Sequence, residues 1–290
     1  MPSQTSTFRV LVTLTRFPVS LAVTFTAFAA MVISTGDITA AMFFPVAGIF
    51  LLASGASAFN QYQEWPWDER MERTRKRPIP SRRISTQEAL RIATLCITGG
   101  LLLLLYFSTS VCFFLGIFNL VWYNGVYTWL KRKTAFAVVP GALTGAIPIL
   151  MGWTAAGGQL HDPTVIFLAF FLFIWQMPHF WLLTLKYGSQ YRDAGFPVLT
   201  GYFNDRQVKI IIMAWMTASS ATSCMFVLFR ILHQVHLGYG IIALNLALLA
   251  IIGWQLFLAP ALRYRLIFIS ANLFMLLVML SLITDSLLVH

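Results

Sequence analysis

Nine apolar runs, each about 20 residues long and separated by short polar links, constrain this chain more than any other feature. They fall at about 17–36, 40–60, 88–107, 110–130, 135–156, 163–185, 208–232, 237–258 and 264–288 of 290 residues. A helix of about 20 residues crosses a hydrocarbon core of about 30 Å. Backbone amides in lipid must be bonded within the chain, so helices are the expected spanning form, and the ten-residue alternation of a β-barrel is missing. The reading is an all-α, polytopic integral membrane protein, with residues 1–290 as one membrane-embedded domain. With 58% hydrophobic and 10% charged residues, the chain is no ordinary soluble enzyme. Its first apolar run is long enough to span and shows no small-residue cleavage site, so it reads as a first helix and not a removed signal.

The cations test this map. Nineteen of the twenty Lys and Arg fall in the N-terminal segment and in the links after runs two, four, six and eight with the flanking run ends; Arg230 alone falls on the other side. Cytoplasmic loops collect such charge, so the N-terminus is expected in the cytoplasm and the C-terminus outside. The same rule accounts for the net charge of +10, and the partner it implies is the lipid bilayer, not nucleic acid. The expected setting is a bacterial inner membrane. Cys96, Cys112 and Cys224 lie in apolar runs without a CxxC spacing, so neither a disulfide nor a thiolate metal site is expected.

Two hydrophilic loops, about 61–86 and 186–207, share the expected cytoplasmic side, and three segments there could carry chemistry. In the first, Asn60, Glu64, Asp68 and Glu72 recur every four residues, which on a helix is one face. Carboxylates so placed could hold Mg²⁺ together with substrate phosphates, while Arg73, Lys76 and Arg77 could grip phosphate oxygens. The plain alternative is a solvated basic loop with i,i+4 ion pairs. Pro66 is expected to kink or stop the helix near Trp65. In the second segment, Lys131, Arg132 and Lys133 close run four, as a topology signal or as diphosphate ligands. In the third, Gln176 and His179 flank Pro178 near the end of run six. Ionisable groups inside a span are functional candidates, although a lone histidine is more often a packing residue. Asn119, Asn124, Asn245 and Asn272 are expected to hydrogen-bond between helices.

Together these segments resemble the UbiA superfamily of intramembrane prenyltransferases, and within it the haem O synthase (protohaem IX farnesyltransferase) branch. The first acidic motif is similar at Asn60, Glu64, Asp68, Met71, Arg73, Thr74, Arg77 and Pro78. Further likeness lies in Tyr127 to Thr134, in Gly145, Ala146, Pro148, Gly152 and Trp153, and in Trp175, Gln176, Pro178, His179 and Phe180. It continues through Tyr191, Ala194, Gly195, Pro197 and Leu199, and Thr15 to Pro18 is similar to the start of the family's first span. Glu64 stands where the family has its first Asp, and Gln190 stands where an acid precedes Tyr191.

The resemblance implies nine helices around a central cavity and Mg²⁺-dependent ionisation of farnesyl diphosphate. The resulting allylic cation is captured by a vinyl group of protohaem IX, with addition of water. It implies that Asn60, Glu64, Asp68 and Asp193 ligate Mg²⁺, with Glu64, Asp68 and Lys131 catalytic. Arg73, Arg77, Lys131 and Arg132 would bind the diphosphate, Tyr191 is a further binding residue, and Gln176 and His179 would contact the haem, with His179 a candidate iron ligand. The alternatives are a prenyltransferase for a quinone-type aromatic acceptor and a non-catalytic haem-binding membrane assembly protein.

Overall fold

A computed structural model describes residues 7–289. After a short helix α1 (Thr7–Leu14), the chain forms α2 (Phe17–Thr35), α3 (Phe43–Asp68), α4 (Thr86–Phe107) and α5 (Ser110–Val121). Helix α5 continues through a π-turn, Trp122–Tyr127, into α6 (Thr128–Leu130). Then follow α7 (Val138–Ala155), α8 (Pro163–Asp193), α9 (Asp205–Leu228), α10 (Val235–Gly253) and α11 (Tyr264–Val289). Among the described residues nine helices are long and apolar enough to cross a membrane, in register with the nine apolar runs.

The helix ends follow from local chemistry. Ser85 and Glu88 form a capping box on α4, and Asn204 and Gln207 form one on α9; each satisfies amides that the first turn leaves open. Asp162 caps α8, with Pro163 at its first position, where a missing N–H costs nothing. Gly36, at φ 70°, ends α2.

Sequence neighbours pack in a ring that closes where α11 meets α2, and α2 also packs on α7 across the bundle. That crossing is tight. A Cβ on Gly152 of α7 would overlap the carbonyl of Ala27 on α2, so only glycine admits this approach. The four asparagines join helices as expected. Asn119 donates to the Thr144 carbonyl on α7 (3.2 Å), Asn124 to the Ala56 carbonyl on α3 (3.1 Å), Asn245 to Ser223 on α9 (2.8 Å), and Asn272 lies 3.1 Å from His179 on α8.

Two expectations about helix length are corrected. Helix α3 runs through Pro66 to Asp68. The proline lies in the last turn, so it removes one bond to the Tyr62 carbonyl without interrupting a longer ladder. Helix α8 continues past the apolar run to Asp193. Each hydrophilic loop therefore starts as a rigid helical extension.

One buried acid escaped the sequence reading. Asp285 of α11 is 1% exposed and accepts from the backbone N–H of His233 (2.9 Å) and of Gln234 (2.7 Å), which lead into α10. It also meets the His233 ring at 3.1 Å. Asp285→Ala would leave two amides unbonded and is expected to lower stability by about 2 kcal/mol, read as a lower melting temperature in detergent.

Candidate functional site

The site sits where the last two turns of α3 meet the links after α1, α6 and α8. Because α3 stays helical to Asp68, Asn60, Glu64 and Asp68 stack on one face, and all three are buried at 3% exposure or less. Buried carboxylates demand partners. Asp68 Oδ2 accepts from Arg77 Nη1 at 2.6 Å, and Glu64 is ion-paired with Lys131. Asn60 donates to Thr128 Oγ1 (2.9 Å) and accepts from Arg16 Nη2 (3.0 Å). Thr74 donates to the Asp68 carbonyl at 2.9 Å, folding the chain back so that Arg77 reaches the carboxylate. Burial pushes the Lys131 ammonium below the ordinary lysine pKa, while Glu64 beside it pulls the other way.

Arg16 is the residue that sequence reasoning missed. It was legible only as a topology cation and as part of a short family signature. In the fold its backbone takes φ 48°, ψ 48° just before α2, and its side chain enters the site, where Nη1 also reaches Tyr123 Oη at 3.3 Å. The π-turn at 122–127 brings Tyr123 and Tyr127 to this wall. An extra residue in one turn rotates the side chains after it, a device common at functional sites.

Arg73 ties the two hydrophilic loops together. Its Nη2 donates to Tyr191 Oη at 2.7 Å, its backbone N–H to Gln190 Oε1 at 3.4 Å, and its guanidinium lies 5.5 Å from the Tyr187 ring centre. Met71, Ala194 and Phe196 form a small apolar cluster beside this contact, with Trp67 and Tyr191 packed on it.

The cavity between these elements is partly open and has a volume of about 220 Å³. Its lining combines charged residues, Arg16, Glu64, Asp68, Arg73, Arg77 and Lys131, with apolar ones such as Val138, Phe180, Leu183 and Phe196. The lining unites six of the expected site residues, Glu64, Asp68, Arg73, Arg77, Lys131 and Tyr191.

The remaining expected residues lie elsewhere. Arg132, next to Lys131, stacks 3.8 Å from the Trp67 ring centre and donates to the Gln63 carbonyl; it does not line the cavity. Asp193 is exposed and outside the cavity lining. Gln176 folds onto the Leu172 carbonyl at 3.0 Å and fills the space left by Gly145 of α7. His179 faces α11, between Asn272 and the ring of Phe268 at 4.2 Å, the packing arrangement that was its plain alternative.

The comparisons with known proteins agree with this architecture. Residues 22–281 match the UbiA prenyltransferase family. The chain is 40% identical over 183 residues to a protoheme IX farnesyltransferase of Geobacter sulfurreducens, covering 63% of this chain and 67% of that one. It is 33% identical over 241 residues to a protoheme IX farnesyltransferase of Oleidesulfovibrio alaskensis, covering 83% of each. Among solved structures, a UbiA homologue from Aeropyrum pernix K1 superposes with a TM-score of 0.74 at 15% identity, over 94% of this chain and 98% of that one. A UbiA homologue from Archaeoglobus fulgidus bound to GPP and Mg²⁺ gives 0.67 at 14% identity, over 94% and 99%. The nine-helix fold, the match along most of the sequence and two relatives above 30% identity over two thirds or more of their length agree: the chain belongs to the UbiA prenyltransferase family.

Proposed function

We propose that this protein transfers a farnesyl group from farnesyl diphosphate to a vinyl group of protohaem IX, giving haem O and diphosphate. The acceptor and donor rest on the relatives named above. The observation that carries the reaction class is one cavity lined both by a buried carboxylate pair with four cations and by apolar side chains. Such a site fits an amphiphile with an anionic head and a hydrocarbon tail.

The donor set supports Mg²⁺. This ion favours one or two carboxylates together with substrate phosphates and water, and Glu64 and Asp68 supply two carboxylates one turn apart. Among the described residues no cluster of three or more His, Cys, Asp or Glu forms a complete protein cage, so substrate oxygens and water would complete the shell. When bound, the ion offsets charge building on the leaving diphosphate. Arg73, Arg77, Lys131 and Arg16 act on the same charge by hydrogen bonds to the diphosphate oxygens.

Heterolysis breaks the C1–O bond of the farnesyl group, and the electron pair leaves with the diphosphate. The π electrons of the haem vinyl group then form the new C–C bond. The carbon left cationic takes the oxygen of a water molecule, which loses a proton. Phe180, Leu183 and Phe196 keep other water from the allylic cation, and Tyr127 offers it a π face. At about 220 Å³ the cavity is smaller than the 300–1,000 Å³ usual for ligand pockets and is partly open, so part of a bound substrate would lie outside it. The basic-loop end, which holds the site, faces the cytoplasm of a bacterial inner membrane.

The test supplies purified protein with labelled farnesyl diphosphate, Mg²⁺ and either haem or a quinone-type aromatic acceptor. Diphosphate release is expected with haem only. Release with the aromatic acceptor alone would favour that reading, and haem binding without any release would favour a non-catalytic role. Arg73→Ala removes one charge-assisted phosphate contact and is expected to raise KM for farnesyl diphosphate about tenfold, read from initial rates at saturating haem.

A further inference from the structure

The carboxylates of the site are already occupied. Asp68 is held by Arg77 at 2.6 Å and Glu64 by Lys131, and the nearest other oxygen ligand, Asn60 Oδ1, is held by Arg16 at 3.0 Å. Four cationic and two acidic side chains line the cavity, a formal excess of two positive charges. A bare divalent cation would have to enter against that excess and lose water that Mg²⁺ gives up reluctantly. It would also have to strip Lys131 and Arg77 of their partners, and an uncompensated buried charge is costly.

A diphosphate meets the opposite situation. It enters a positive cavity, and its oxygens can accept from Lys131 and Arg77 in place of the carboxylates. Glu64 and Asp68 are then left unpaired beside a bound anion, the setting that raises their demand for a cation. We propose, resting on the diphosphate site argued above, that this carboxylate pair is closed to divalent metal until a prenyl diphosphate arrives. The diphosphate binds first, takes Lys131 and Arg77 onto its oxygens, and so releases Glu64 and Asp68 for the metal. Lys131 and Arg77 act as exchange partners, and the two ligands strengthen each other's binding reciprocally.

The test uses the full-length protein in nanodiscs, with Mn²⁺ followed by electron paramagnetic resonance and the non-hydrolysable farnesyl S-thiolodiphosphate as the anion. The analogue is expected to bind saturably in excess chelator and more tightly with Mg²⁺. Mn²⁺ alone is expected to show no saturable binding to wild type up to about 1 mM, and to bind once the analogue is present. Lys131→Met and Arg77→Gln, which each free one carboxylate, are expected to bind Mn²⁺ without the analogue at least about tenfold more tightly than wild type. If either variant fails to fold, the paired wild-type titrations still decide.

The proposal is overturned if the analogue binds only when metal is present, or if Mn²⁺ binds wild type equally well with and without it. Failure of the analogue to bind under any metal condition would overturn the diphosphate site itself, and the proposed function with it.

Discussion

Asp68→Ala is expected to lower farnesyl transfer by at least about 10³-fold, with the protein still inserted and folded. Asp68 is 2% exposed and closes the α3 face that carries Asn60 and Glu64. Its loss removes one of the two carboxylates facing the cavity and leaves Arg77 without its 2.6 Å partner. The turn that carries Arg77 should persist, because Thr74 bonds the Asp68 backbone carbonyl and not its side chain. Asp68→Asn keeps the shape and loses only the charge, so a fall similar to that of the alanine variant would assign the effect to charge. The measurement is kcat with labelled farnesyl diphosphate at saturating Mg²⁺, alongside a melting curve. Near-normal turnover in a folded Asp68→Ala protein would remove this face from the mechanism.

The second large effect is on the scaffold. Gly152→Leu is expected to destabilise the bundle by about 3 kcal/mol or more, a fall in Tm of roughly 5–10 °C for a chain of this size. No rotamer can relieve the clash, because the first carbon of the side chain already meets the backbone carbonyl of Ala27. Helices α2 and α7 would have to separate, and α2 starts beside Arg16, so site geometry should suffer with stability. Gly152→Ala should show most of the loss, since its Cβ is the clashing atom. Gly240→Ala is the control, because a Cβ there meets nothing within 4 Å; it should melt as wild type does.

The fold was largely legible because a bilayer enforces a simple code of length and polarity. All nine spans, and the segregation of cations between links, could be read from hydropathy alone. The extensions of α3 and α8 were not, because the pattern ends where lipid ends while the helix does not. Proline in a last turn also breaks less than proline at mid-helix.

Within the site, the part of the grouping that was legible in the sequence is the part that is local. Asn60, Glu64 and Asp68 share a face by a four-residue period, and Arg77 is near enough in sequence to fold back. The placement of the other expected residues depends on helix rotation. Lys131 and Arg132 are adjacent, yet one meets Glu64 and the other Trp67. The π-turn before them shifts the phase in a way the sequence does not announce. Gln176 and His179 are turned by the seating of α8 against Gly145 and α11, a tertiary fact. Gln190 illustrates the same limit. Where an acid was expected, the amide meets the backbone of Arg73, linking the two loops directly.

If this chain joins a farnesyl group to haem, mass spectrometry of the product will show it. Purified protein in nanodiscs would be given farnesyl diphosphate, Mg²⁺ and haem in ¹⁸O-labelled water, with Asp68→Ala in parallel. The expected product is haem increased by one farnesyl group and one hydroxyl, the hydroxyl carrying the label, and absent from the variant. Unmodified haem from the active wild-type preparation, or a prenylated product formed equally by Asp68→Ala, would contradict the account.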